Sequence, residues 1–135
     1  MMNMSRRQNQ LERQERRAQQ NEREDSAGKL LVKVPELTAL SLAIHEGRPD
    51  GCLGENQYIR RVVVDHAPAL FEIRCSYADC EDGVYDLTRE ILSALAAKRS
   101  RFEGQHTCRG RCRTVDCTRV LKYVATATYR DSAGA

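Results

Sequence analysis

The sequence predicts an α+β fold, a small antiparallel sheet with one packed helix, preceded by a polar N-terminal tail. Three observations lead there. Runs of period-two alternation lie at both ends of the region after residue 28, one stretch with four-residue apolar spacing lies between them, and two knots of cysteines flank that stretch. Strands, knot, helix, knot and strand in that order are not the repeating β–α units of a parallel sheet. A chain of 135 residues holds at most one domain plus a tail.

Residues 1–28 are the tail. They are rich in Gln, Arg and Glu, with six Arg against five acids. Met4, Leu11 and Ala18 recur at seven-residue intervals, but a coiled-coil seam needs two apolar positions per heptad. Disorder or a fraying, solvated helix is expected. The segment has no apolar h-region of a secretory signal, and its acids do not suit a transit peptide. No window approaches 18 consecutive apolar residues, so no membrane partner is expected. The expected location is cytoplasmic, a reducing medium in which clustered thiols bind metal more often than they pair.

The domain is expected over residues 29–131, with 132–135 a flexible C-terminus. Residues 30–34 read as a strand stopped by Pro35. Leu40, Leu42 and Ile44 alternate with Ser41, Ala43 and His45, as a half-buried strand does. Residues 47–56, with Pro49-Asp50-Gly51 and Gly54, read as a loop. Residues 58–65 contain Val62-Val63-Val64, a β-branched run that favours extended backbone. After a turn at His66-Ala67-Pro68, residues 70–75 alternate again with Phe71, Ile73 and Cys75 on one face. These two runs are expected to form a hairpin whose second strand presents Cys75.

Asp86 starts the helix, because its carboxylate can accept from unpaired N–H groups of the first turn. Leu87, Ile91 and Leu95 follow at four-residue spacing, and Ala94, Ala96 and Ala97 raise helix propensity. Lys98 and Arg99 suit the negative end of the helix dipole. Residues 119–129 are the last strand, with Leu121, Tyr123, Ala125, Ala127 and Tyr129 on one face and Thr126 and Thr128 on the other. With two Phe and no Trp, a folded region of about 100 residues has a thin aromatic core.

Five of the six cysteines lie between Cys75 and Cys117. Cys75-Ser-Tyr-Ala-Asp-Cys80 is the first knot and Cys108-Arg-Gly-Arg-Cys112-Arg-Thr-Val-Asp-Cys117 the second. Two thiol groups beside strand-like runs form the plan of a four-cysteine zinc site, whose ligands must converge from several directions. Cys75 and Cys80 make one pair. Cys108 joins either Cys117 or Cys112, and Cys117 is favoured because a flanking strand holds a ligand better than a loop does. Cys112 is the alternate, His106 could replace one sulfur, and Cys52 reads as a spectator. A structural zinc would staple so small a core.

The stretch from Cys75 to Cys117 resembles zinc-ribbon and treble-clef zinc fingers in the layout of its thiol pairs around a helix. The resemblance covers about a third of the chain, and its C-x4-C and C-x8-C intervals are wider than the tight C-x2-C knuckle. It implies a structural zinc at Cys75, Cys80, Cys108 and Cys117, and no substrate.

Enzyme signatures are missing. Neither the His-x-Glu with Pro-Cys-x-x-Cys of zinc deaminases nor His-Glu-x-x-His, Gly-x-Ser-x-Gly or a phosphate-binding glycine loop occurs. A four-sulfur zinc has no open position for water. A non-catalytic binding module is therefore expected, with another protein as partner, engaged through the sheet edge or the tail.

The alternative is nucleic acid. Net charge is only +3, but residues 98–135 hold nine bases against three acids. Arg99, Arg101, Arg109, Arg111 and Arg113 would present guanidinium groups from a basic loop over residues 98–113. No aromatic interleaves the last three, so base stacking is unsupported. The 18 Arg against 4 Lys fit this reading and equally a GC-rich coding sequence.

Overall fold

In a computed structural model the described residues are 2–49 and 53–130, without the side chains of 2–6 and 53–55. Cys52 and the C-terminal residues 132–135 lie outside them. The elements run α1 (Met2–Ala27), α2 (Leu30–Lys33), β1 (Leu37–Gly47), β2 (Leu53–Val62), β3 (Glu72–Arg74), β4 (Cys80–Glu81) and β5 (Val84–Asp86). Then come α3 (Thr88–Ala96), β6 (Arg101–Thr107), β7 (Arg111–Cys112), β8 (Val115–Asp116) and β9 (Val120–Tyr129). The class is α+β, and its strand pairs are antiparallel.

The main sheet has the order β2-β1-β9-β6. On β1 the alternation works as expected. Leu40, Leu42 and Ile44 are buried, while Ser41, Ala43 and His45 face outward. Leu121, Tyr123, Ala125 and Ala127 of β9 line the same inner face, and Phe102 of β6 joins them. Against this face lies α3, with Leu87, Ile91 and Leu95 wholly buried. Asp86 Oδ1 accepts from the Thr88 N–H at 3.1 Å, so the capping carboxylate acts two residues before the first helical residue. Tyr85 and Tyr123, each 1% exposed, supply aromatic bulk that the Phe and Trp counts do not reveal.

Several expectations are corrected. Residues 30–33 form one helical turn, not a strand, because Gly28 and Pro35 bracket the segment and Val34 N–H closes back onto Leu30 O at 2.9 Å. Leu30 is buried in both readings, so its apolarity could not discriminate them. The hairpin expected between residues 58–65 and 70–75 is absent. Instead β2 pairs with β1, shortening the loop expected over 47–56, and β3 pairs with β5. Residues 101–107, read as part of a basic loop, are strand β6, paired along its length with β9. Its inward positions include Gly104 and His106, which give no apolar alternation to read.

The tail is the solvated helix α1. Gly28, at φ +79°, ends it in the left-handed conformation that glycine adopts without steric cost. Its last turns touch the domain, where Arg23 pairs with Glu72. Among the described residues no helix is long and apolar enough to cross a membrane.

Candidate metal centre

The β6–β9 hairpin extends beyond its ladder into the cysteine lobe. Cys108 N–H donates to Arg119 O and Cys117 N–H to Gly110 O, both at 2.8 Å, so both thiols stand on ordered backbone. From the other side β3 delivers Cys75, whose N–H donates to Gly83 O at 2.9 Å. A turn closed by Cys80 N–H to Tyr77 O then brings Cys80 back, and β4 pairs with β7 so that Cys80 lies opposite Cys112.

The sulfurs of Cys75, Cys80, Cys108 and Cys117 all lie within 4.8 Å of one another. Cys75 and Cys117 are 3.9 Å apart and Cys80 and Cys108 are 3.7 Å apart. These separations are far beyond a disulfide bond of about 2.05 Å, and the five described cysteines are free thiols. Four cysteines so placed could hold a metal ion. Cys112 is half-buried beside this group and outside it. His106 points elsewhere, pairing with Glu90, which also accepts from Tyr123.

Two glycines make the convergence sterically possible. A Cβ on Gly83 would stand 2.5 Å from Cys80 Sγ and 2.6 Å from Cys108 Sγ. A Cβ on Gly110 would stand 2.6 Å from Cys80 Sγ and 2.7 Å from Glu81 O. Gly110 N–H also donates to Cys108 Sγ at 3.4 Å. The signal was present in the sequence as glycine three residues after Cys80 and two after Cys108, where a chain must fold back over its own sulfur.

Beneath the first knot lies a residue that the sequence reading missed. Glu46 continues the buried face of β1 and is 1% exposed. Its carboxylate accepts from Ser76 N–H at 3.1 Å, the Tyr85 hydroxyl at 3.0 Å and Asn56 Nδ2 at 3.4 Å. Burial alone would raise its pKa, but the Ser76, Tyr85 and Asn56 donors outweigh burial and hold it below the ordinary carboxylate value. Glu46 thus clamps the residue after Cys75 in its ionised form, while Tyr85 hydroxyl lies 4.0 Å from Cys75 Sγ. An apolar alternation ending in a charged residue was the available clue.

The thiols respond to each other and to burial. Burial, the leading cause, pushes Cys75 and Cys80 up to about 12 and Cys108 up to about 11. For Cys117 burial also acts upward, but the Arg119 N–H and the neighbouring thiols overcome it and lower its pKa. A bound cation reverses the penalty on the other three, since a coordinating thiol is deprotonated outright.

The basic residues do not form one patch. Arg99 and Arg101 lie at the start of β6, and Arg109, Arg111 and Arg113 beyond its end. From Arg101 to Thr107 the strand alone spans about 20 Å. Arg111 pairs with Asp116 at 3.6 Å. No known protein family, curated protein or solved structure matches the chain.

Proposed function

We propose that this chain is a non-catalytic protein-binding module whose fold is fastened by one zinc ion on Cys75, Cys80, Cys108 and Cys117, in the manner of a zinc ribbon. The observation that carries the reading is the sulfur spacing. A tetrahedral zinc with bonds of about 2.3 Å has sulfur–sulfur edges of about 3.8 Å, and Cys80–Cys108 and Cys75–Cys117 stand at 3.7 and 3.9 Å. Four thiolates close the coordination sphere, so the metal activates no water. Such a site belongs in a reducing compartment, which supports a cytoplasmic location. The open surface for a partner is β2, where residues 57–61 are exposed in succession.

Elemental analysis of protein purified under reducing conditions tests the metal. One zinc per chain is expected, lost in Cys75→Ser, Cys80→Ser, Cys108→Ser or Cys117→Ser and kept in Cys112→Ser. Metal-free native protein with paired cysteines overturns the reading.

One observation favours the nucleic-acid reading in second place. Arg113 takes the left-handed φ of +60° at the tip of the β7–β8 turn, where glycine or asparagine is the relaxed choice. Strained residues cluster at functional sites. Binding through Arg109, Arg111 and Arg113 must weaken with salt, and replacing all three by Gln should flatten the single-strand salt slope by about 2. Failure of DNA and RNA to bind at low salt leaves the protein-binding reading.

A further inference from the structure

The two outer edges of the main sheet differ in kind. At one edge β6 presents Arg101, Glu103 and the Glu90-paired His106, and none of its described residues is a large exposed apolar one. Both edges carry charge, since β2 has Arg60 and Arg61, so the difference between them lies in exposed apolar surface. At the other edge β2 is ten residues long and carries Tyr58 and Ile59 exposed at 38% and 65%, with Val63 exposed just beyond its end.

The exposure of β2 is also two-sided. In a sheet with one covered face every second side chain should be hidden. Tyr58 and Arg60 lie opposite Ile44 and Leu42 of β1, which are wholly buried, yet they are only partly covered: Tyr58 is 38% exposed, and exposed Arg60 donates from Nη1 to Glu72 O at 3.5 Å. Among the described residues the outward face of β2, with Gln57, Ile59 and Arg61, is open, and the outer backbone edge of β2 pairs with no strand. An unpaired row of N–H and C=O groups of this length is a template for another strand.

We propose that this strand is β2 of a second copy, paired antiparallel about a two-fold axis through Ile59. The proposal rests on the protein-binding reading above and names its partner. Directly opposed residues in an antiparallel pair share a face, so a two-fold axis must pass through a residue and not between two. Centred on Ile59, the pairing sets Ile59 against its own copy and Gln57 against Arg61 of the partner subunit. It also sets the Tyr58 ring against Arg60 of the partner subunit, a cation–π pair formed twice. Shifting the axis to Arg60 would oppose two guanidinium groups. Shifting it to Tyr58 would set Ile59 against Gln57. The apolar, aromatic and cationic positions of β2 thus match best in one register of the strand with itself.

Sedimentation equilibrium of the full chain over about 1–500 µM tests this, a range suited to the small interface of a single strand pair. The expected mass rises toward that of two chains. Ile59→Asp and Ile59→Lys should each weaken association at least about tenfold, because like charges then meet on the axis. An equimolar mixture of the two variants should restore the dimer, because opposite charges then meet. Ile59 is largely exposed, and circular dichroism with the thermal midpoint verifies that each variant folds. A wild-type chain that stays monomeric, a dimer indifferent to both substitutions, or a mixture that stays monomeric overturns the proposal. None of those results touches the module reading, which falls on absent metal or on salt-sensitive nucleic-acid binding.

Discussion

The main sheet and the cysteine lobe are held by different physics. In the sheet, long strands bury Leu42, Ile44, Leu121 and Ala125 against α3, so each residue contributes a little and no single group is indispensable. In the lobe, β4, β7 and β8 are two residues each, too short to stand alone, and four sulfurs occupy the place of a core. Polar contacts complete it, including Glu46 under Ser76 and the Arg119 guanidinium 5.1 Å from the Tyr77 ring. A region built from periodic burial tolerates small losses. A region built around one point of convergence should fail as a unit.

The sharpest way to break this contrast is to remove the zinc proposed for the four cysteines. A structural zinc contributes on the order of 10 kcal/mol, so chelation should abolish amide-exchange protection in residues 72–86 and 108–117 before it reaches β1 and β9. Leu121→Ala should do the reverse, costing about 3 kcal/mol of global stability while leaving metal content at one per chain. If chelation and Leu121→Ala gave the same protection pattern, sheet and lobe would be one cooperative unit.

Glu46 joins the two regions, and its pH dependence is a finer probe. Because its folded pKa is lowered, its stabilisation is fully present above the ordinary carboxylate pKa and is lost as pH falls through the folded value. Glu46→Gln should cost about 2 kcal/mol at neutral pH through loss of charge-assisted bonds. The gap from wild type in denaturant melts should narrow on acidification. A gap that is constant with pH would mean that the charge is irrelevant and only shape matters.

The smallest effect is expected at the tip of the lobe. Arg113→Gly should relax the left-handed turn and raise stability by about 1 kcal/mol, read as a modest rise in thermal midpoint. A loss of salt-dependent nucleic-acid binding in the same variant would show why an arginine is kept in a strained position. A midpoint that does not rise would remove the strain from consideration.

Legibility followed the same division. The strand at Leu40, Leu42 and Ile44, the stripe Leu87, Ile91 and Leu95, and the last strand were readable because each buries one face at a fixed period. Strand β6 was not, since Arg-Phe-Glu-Gly-Gln-His-Thr holds one large apolar residue and its inward His106 is satisfied by Glu90. The short lobe strands carry no period at all. The partner of β3 was misread because adjacency in sequence suggested a hairpin, whereas Leu87 N–H to Phe71 O and the β5 ladder tie that segment to residues beyond the first knot.

What the sequence determined by itself was composition-level chemistry: which segments can bury a face, and which residue types can share a metal. Local periodicity and thiol spacing are properties of the chain, so they survive without coordinates. The preference for Cys117 over Cys112 was already legible from its flanking strand. Tertiary structure alone decided that the four sulfurs come within 4.8 Å of one another, that a Cβ on Gly83 or Gly110 would collide with Cys80 Sγ, and that Glu46 serves the knot thirty residues away. The physical reason is that convergence depends on distances between segments remote in sequence, and no local pattern encodes a distance of 3.7 Å between Cys80 and Cys108.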